Sequence, residues 1–526
     1  MNQEAKQNDL EFFEQYKQVC EAYRMTLSTL NFDAATVAPE EGIPQRNKLG
    51  AILAGEAFSY QTNPESLKRL ESLLAQAEPG SLLEKELKLY FRELEDVRVL
   101  PKEVYIRQRR VTADGHNAWR QAKLANDFEP FQPALKEIIQ AQKEALTYLD
   151  KNCADYDYLL DRFEQGTSMA MYDEFFGKIK ETLLPLIQKI QREGKKIDPS
   201  PLYLEYDLAK QKKFVQHILD YMQMNPGQCG VAETEHPFTD FFSDKETRIA
   251  VHYYPQNPLS VIMSAVHEYG HGLYGLQIQP EYNGTAFKNA VGYAMHESQS
   301  RLLENHVGRS RAFWQANYPA LQKLFPEQLG HVTLDQFVEM INASRPSLIR
   351  IEADELTYPI HILIRYELEK AIFDGSLDLD KLDQAWADKY EQYLGVCPAG
   401  PAQGILQDGH WGGGSFGYFP TYALGSAYAA QFFQAMEKQF DVNQALASGD
   451  FQKISGWLKE NIHQYGAEKT ADEILRLTTG EPFRPEYYIS YLTKKYTELY
   501  QLKKLRIQQK TGADLQKLPR FFCVAF

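Results

Sequence analysis

No run of about 18 consecutive apolar residues occurs in the 526-residue chain, so no membrane-spanning helix is expected. The opening MNQEAKQNDLEFFEQYKQ has neither a cationic start nor an apolar core, which argues against a secretory leader. Cysteine is scarce. Cys20, Cys153, Cys229, Cys397 and Cys523 lie far apart, are odd in number and form no C-x-x-C. That pattern argues against a disulfide framework and points to a reducing, cytoplasmic compartment. Positive charge is in deficit: Lys plus Arg total 57 against 71 Asp plus Glu, a net charge of −14. Such a surface repels nucleic acid and suits a soluble acidic protein. Internal repeats and low-complexity tracts are absent too. Apolar material is not: 44% of residues are hydrophobic, enough for a large core and too many for a disordered chain.

Residues 1–150 read as successive helices. Leu67, Leu70, Leu73 and Leu74 recur at helical steps, as do Leu83, Leu87, Tyr90, Phe91 and Leu94, with Pro79-Gly80 between the two sets. Residues 32–42 read as a short loop, with Asp33, Thr36, Pro39 and Gly42 as turn residues. Residues 171–195 and 207–224 are again helical. Residues 225–230 form a breaker cluster, and 247–254 are the best strand candidate. A free edge there could receive an extended peptide, and an ordinary buried strand is the equal alternative. A helix is predicted from about Ser260 to His271, ended by Gly272, Gly275 and Pro280, and another over 291–307. Residues 333–395 read as helical. Residues 398–425 are rich in Gly, Pro and aromatics and read as a long ordered loop, with helix resuming near Ser426.

The chemistry concentrates at His267-Glu268-Tyr269-Gly270-His271, an H-E-x-x-H motif. On a helix, His267 and His271 are one turn apart and share a face, so both imidazoles can hold one ion. A catalytic site wants a third protein ligand. His296, Glu297, Glu304 and His306 are candidates. Glu297 is preferred on chemistry, but Glu297 and Glu304 share a helical face, so periodicity does not separate them. Glu268 is placed to act as a base rather than a ligand. An oxyanion donor is sought in His410, Tyr418 and Tyr422, each of which has a packing role as its alternative. Two histidines satisfied in a core would be the structural alternative for the whole motif.

Taken in order, these and four other motifs resemble the carboxypeptidase Taq family of HEXXH metallocarboxypeptidases, also called thermostable carboxypeptidase 1. His236-Pro237-Phe238 matches its HPF, and His296-Glu297-Ser298-Gln299 its HES(G)Q. Residues 349–354 match its IRXXAD, and 404–411 its GXXQDXHW. The likeness runs from about residue 8 to 505. In one place it lapses: the family's DXRXT stands here as Glu246-Thr247-Arg248-Ile249-Ala250.

The resemblance implies a mainly α, zincin-type helical peptidase with a long substrate groove and a small β-sheet beside the metal helix. It implies a single peptidase unit over 1–505, with 1–225 as one groove wall, 226–505 as the metal-binding half and 506–526 as an appended tail. His267, His271 and Glu297 would be the metal ligands and Glu268 the general base. Zinc is the expected ion and cobalt a substitute. The implied reaction releases single residues, with broad specificity, from peptides with a free C-terminus, in a homodimer that binds neither membrane nor nucleic acid. A helical zinc oligopeptidase, or one releasing dipeptides, is the alternative. A non-enzymatic helical scaffold keeping its metal is the remote one. A carboxypeptidase needs a guanidinium for the terminal carboxylate. Arg350 is the choice, with an ion pair to Glu352 or Asp354 as its alternative role; Arg248 is the reserve, and His236 is a further substrate contact.

Overall fold

The periodic leucines fold as their spacing demands. α1 (Gln3–Thr36), α2 (Ile43–Gln61), α3 (Pro64–Gln76) and α4 (Leu82–Glu93) open the chain. Asn63 caps α3 through the N–H groups of Glu65 and Ser66, and Ser81 caps α4 through Glu84. Leu70, Leu73, Leu87 and Phe91 bury one face of each helix against Phe13, Tyr16 and Cys20 of α1. The expected loop over 32–42 is shorter than read: α1 continues to Thr36, because no breaker precedes Pro39 and Thr36 Oγ1 bonds back to the Phe32 carbonyl at 2.6 Å.

The computed structural model describes residues 3–289 and 291–503. The expected tail over 506–526, with Cys523, lies outside them. Described residues of Met1–Val99, Ser200–Leu334 and Ala435–Pro482 make one compact unit, and those of Leu100–Pro199, Asp335–Gln434 and Phe483–Phe526 a second. The molecule is mainly helical with one small sheet, as expected. Among the described residues no helix is long and apolar enough to cross a membrane. Among the described residues Cys20, Cys153 and Cys229 are free thiols.

The sheet belongs to the first unit. β1 (Cys229–Glu233), β2 (Phe238–Ser243) and β3 (Glu246–Val251) lie in the order β1-β3-β2, with β1 parallel and β2 antiparallel to β3. The predicted strand over 247–254 is thus shorter and central. It has no free edge to offer a peptide, since residues 225–230, read only as a breaker, deliver Cys229 and Gly230 into β1 on one side. β2 returns on the other.

α5 (Pro258–Gln277) lies on this sheet, capped by Asn257 through the Ser260 N–H. Gly272 and Gly275 do not end it. A Cβ on Gly275 would come within 2.6 Å of the Phe241 ring, and one on Gly272 within 3.1 Å of Thr247. These glycines let the helix lie flush on β2 and β3. Its C-terminal carbonyls meet a cation instead: buried Lys288 donates to Gly275 O at 2.8 Å. On the opposite flank runs α6 (Tyr293–Arg301), which widens into a π-helical turn over Leu302–Gly308 where plain α-helix was expected. The loop between α5 and α6 is pinned by Glu86, which accepts from Ala286 N at 3.2 Å while paired with Lys17 at 3.3 Å.

In the second unit the expected helix over 333–395 is broken. Leu334–Ile341 ends before Pro346, Arg350–Glu352 is a single 3₁₀ turn, and α7 (Tyr358–Phe373) follows. Asp354 makes the break by accepting from the N–H groups of Leu356 and Thr357. The glycine-rich stretch is a loop as read, but helix resumes at Phe419 rather than Ser426.

Helix propensity alone says that Gly270→Ala should stabilise by about 1 kcal/mol. The built Cβ would lie 2.7 Å from Ser300 Cα and 2.9 Å from Gln299 O, both backbone atoms that cannot step aside. Gly270→Ala is therefore expected to destabilise by about 1–3 kcal/mol, read as a lower urea midpoint.

Candidate metal centre

α5 presents His267 and His271 one turn apart, and α6 presents Glu297 toward them. Glu297 Oε2 lies 3.6 Å from His267 Nε2 and 3.4 Å from His271 Nε2. Among the described residues these three make the one cluster able to hold a metal, with donor atoms all within 4.8 Å of one another. Two imidazoles and a carboxylate are the donors of a site that keeps a coordination position open. The second ring nitrogen of His267 supports the fit. Its Nδ1 lies 2.9 Å from Glu304 Oε2, so Nδ1–H donates there and Nε2 keeps its lone pair for an ion.

The contest for third ligand turns on the π-helical turn. Glu297 and Glu304 share a face only on an uninterrupted α-helix. The wider turn beginning at Leu302 re-aims Glu304 onto the back of the His267 ring. His296 stacks on His271 with centroids 4.3 Å apart and planes at 18°, and neither it nor His306 enters the cluster.

Both carboxylates are held ionised. Burial alone would raise Glu297, but Arg301, whose Nε donates to Oε1 at 2.6 Å, and the two imidazoles outweigh it. Its carboxyl sits well below the usual range. Glu304 is lowered likewise: Arg301, His267 and Arg309 outweigh its burial. Ser300 Oγ lies 2.7 Å from the Glu297 carbonyl and 3.1 Å from Glu297 Oε2.

Glu268 is 7% exposed and belongs to neither carboxylate network. Thr239 Oγ1, on β2, lies 2.7 Å from Glu268 Oε2 and 2.9 Å from the Glu268 carbonyl. Sequence reading missed Thr239. The signal was its place one residue after His236-Pro237-Phe238, on a strand beside the helix. His236 itself is exposed in the bend between β1 and β2. Arg248 lies on β3, bound to Glu246 Oε1 at 3.0 Å through Nε and placed 4.8 Å over the Phe242 ring.

Four other predicted residues gather in the second unit. Arg350 is buried and holds Asp408 Oδ1 through Nε at 3.1 Å and Nη2 at 2.9 Å. Its partner is thus Asp408, not Glu352 or Asp354. Arg365 takes the other oxygen, Oδ2, at 2.6 Å, so one carboxylate serves two guanidiniums. Tyr422 lies under Arg350 at 4.8 Å and its hydroxyl is 3.3 Å from His410 Nε2. Tyr418 packs edge-on to Tyr422 at 5.2 Å. Burial pushes His410 down to about 4, so its ring is neutral at pH 7. Asp408 was inside a motif but unread. Arg365 had no local signal.

The loop carrying Asp408 and His410 is anchored by Glu369 of α7, which accepts from Trp411 Nε1 at 2.7 Å, Gly417 N at 2.8 Å and Tyr156 OH at 2.8 Å. Burial outweighs these donors and pushes the Glu369 carboxyl up to about 7 from an ordinary 4.5. The folded chain keeps a proton that the unfolded chain releases. This contribution to stability is full below about pH 4.5 and lost as pH rises to about 7. Urea midpoints should therefore fall between pH 5 and 8, and Glu369→Gln should flatten that fall, a component of about 3 kcal/mol.

The two acidic neighbours of His267 give opposite expectations. Glu297→Gln removes a donor and should abolish stoichiometric metal binding. Glu304→Gln removes a partner of the His267 ring and should weaken binding about 10–100-fold while keeping one ion per chain, measured by chelator competition.

The family described as carboxypeptidase Taq (M32) metallopeptidase matches residues 12–496. Carboxypeptidase 1 of Bacillus subtilis is 35% identical over 494 residues, spanning 94% of this chain and 98% of its own. Thermostable carboxypeptidase 1 of Thermus thermophilus is 35% identical over 510 residues, 94% of this chain and 99% of its own. A solved carboxypeptidase of Pyrococcus furiosus superposes with a TM-score of 0.89 at 31% identity, covering 94% of this chain and 99% of that one. The M32 carboxypeptidase of Deinococcus radiodurans gives 0.90 at 29% identity, over 94% and 100%. A helical chain that sets two histidines of an H-E-x-x-H helix against a glutamate of the next one, and matches these proteins end to end, belongs to the M32 family of metallocarboxypeptidases.

Proposed function

We propose that this metallocarboxypeptidase is a zinc enzyme that releases single residues from free peptide C-termini, with His267, His271 and Glu297 as ligands and Glu268 as general base. The observation that carries the reading is the convergence of those three donors beside a glutamate held by its own brace, Thr239. Cobalt suits the same donor set. When bound, such an ion supplies Lewis acidity and brings the pKa of water near 7.

The rest is done by the chain. Glu268 takes the proton of the attacking water and returns it to the leaving amine. Thr239 holds Oε2 by donating to it, which fixes the carboxylate plane and leaves Oε1 for that water. Glu304 keeps His267 in the tautomer that presents Nε2, and Arg301 keeps Glu297 ionised before any cation arrives.

Arg350 is proposed to read the terminal carboxylate, and Asp408 holds its guanidinium in place for that task. Tyr422, His410 and Tyr418 are proposed as donors or packing walls for the substrate, with Arg248 and His236 as further contacts along the peptide. The enzyme is proposed to work in the cytoplasm as a homodimer, on the strength of the family resemblance.

A chelator should abolish hydrolysis of N-blocked dipeptides, and zinc should restore it. Glu268→Gln should lower kcat about 10²–10⁴-fold with zinc content unchanged. Arg350→Ala should raise KM for the same substrates, again with zinc retained. A C-terminally amidated peptide should survive largely intact. Internal cleavage or dipeptide release from it would overturn the carboxypeptidase reading, and full activity in Glu268→Gln would overturn the mechanism.

A further inference from the structure

His463 lies outside every motif read from the sequence, yet it is fully buried, in a 3₁₀ turn of the first unit. Its Nδ1 is 2.7 Å from the carboxamide of Gln277, the last residue of α5. Its Nε2 is 2.8 Å from Oε1 of Gln299, two residues beyond Glu297 on α6.

The direction of these bonds is determined. Gln299 Nε2 donates to Ser298 Oγ at 2.7 Å, and that hydroxyl donates to Met295 O at 2.7 Å. Gln299 therefore presents its oxygen to His463, and Nε2–H donates. Burial pushes the imidazole down to about 3, so it is neutral and has one N–H. Nδ1 is then the acceptor, and the Gln277 carboxamide, placed with Oε1 at 2.7 Å, exchanges its oxygen and NH₂ to donate there. A one-way chain runs from the end of α5, through His463, to the backbone of α6. The ring makes a second connection by packing. It lies 4.9 Å from Tyr274, which is 5.7 Å from His296, itself stacked at 4.3 Å on His271.

We propose that His463 is a positioning residue of the metal centre: by tying Gln277 to Gln299 it fixes the spacing between the α5 imidazoles and the Glu297 carboxylate. The inference rests on the metallopeptidase reading above. Imidazoles and carboxylate come from different helices, so their spacing is only as exact as the helix pairing. Gly270 sets that pairing in the middle of α5, and His463 closes it at the C-terminal end.

The test is zinc affinity of the full chain, by competition with a chelator of known affinity. His463→Phe keeps the ring and its stacking and loses both hydrogen bonds. It should weaken zinc binding about 10–100-fold. Gln277→Leu cuts one arm and should give part of that loss, and the double variant should be no worse than His463→Phe alone. Leu70→Ala, in the remote core of α1, α3 and α4, serves as a control of general destabilisation and should leave zinc affinity unchanged. Zinc affinity within twofold of the parent in folded His463→Phe would overturn the proposal. If that variant does not fold, an unchanged affinity in Gln277→Leu would do so. A parent chain that binds no stoichiometric zinc would overturn the metal reading itself, and the proposal with it.

Discussion

Two helices can bring an imidazole pair and a carboxylate to one point only if their backbones nearly touch. At Gly270 they do, because the space a Cβ would occupy is filled by Ser300 Cα and Gln299 O. Any larger residue there separates α5 from α6 and moves Glu297 away from His267 and His271. Gly272 and Gly275 set the same condition on the opposite flank, where α5 meets β3 and β2. The helix is held close on both sides, and the residues that hold it are the ones with no side chain. Within that frame the sheet has a specific task. β2 delivers Thr239 to Glu268, so sheet and helix together position that carboxylate.

Charge obeys a related constraint. Glu297 and Glu304 are both buried, and neither waits for a cation to ionise. Arg301 bonds to both, and Arg309 completes Glu304. The Glu297 carboxylate is therefore held ionised and in place by the chain itself. The arrangement also explains why a seven-residue spacing gives two different roles. Glu297 stands in regular helix and faces the imidazole Nε2 atoms. Glu304 stands in the π-helical turn and faces Nδ1 of the same ring.

Much of this was legible from residues alone. H-E-x-x-H on a helix, a glutamate on the following helix and a mainly helical chain all follow from periodicity and ligand chemistry. The limits have physical causes. Gly272 and Gly275 read as helix ends because a sequence does not distinguish a glycine that breaks a helix from one that lets it pack. Residues 247–254 read as a possible free edge because strand order depends on which segments return beside it, and 225–230 looked like a breaker. Arg365 and His463 act through partners far away in sequence and nothing local marks them, while Thr239 adjoins one motif and Asp408 lies in another but their partners Glu268 and Arg350 are remote. Each unit is assembled from separated stretches of chain, an interleaving that composition does not record.

The second unit poses a problem of charge economy that bears on substrate. Arg350 and Arg365 are buried, and the Asp408 carboxylate is shared between them. Removing two cations from water against one anion is unfavourable unless further groups compensate. Arg365 donates to Tyr390 OH at 3.0 Å, Gln407 Oε1 at 2.8 Å and the His361 carbonyl at 2.8 Å. Arg350 has less. Beyond Asp408 its guanidinium meets the Tyr358 hydroxyl at 3.3 Å and the Tyr422 ring. Neither is an anion. His410, neutral at pH 7, adds no opposing positive charge. A second carboxylate would complement such a guanidinium, and this is the ground for proposing that Arg350 reads a peptide C-terminus.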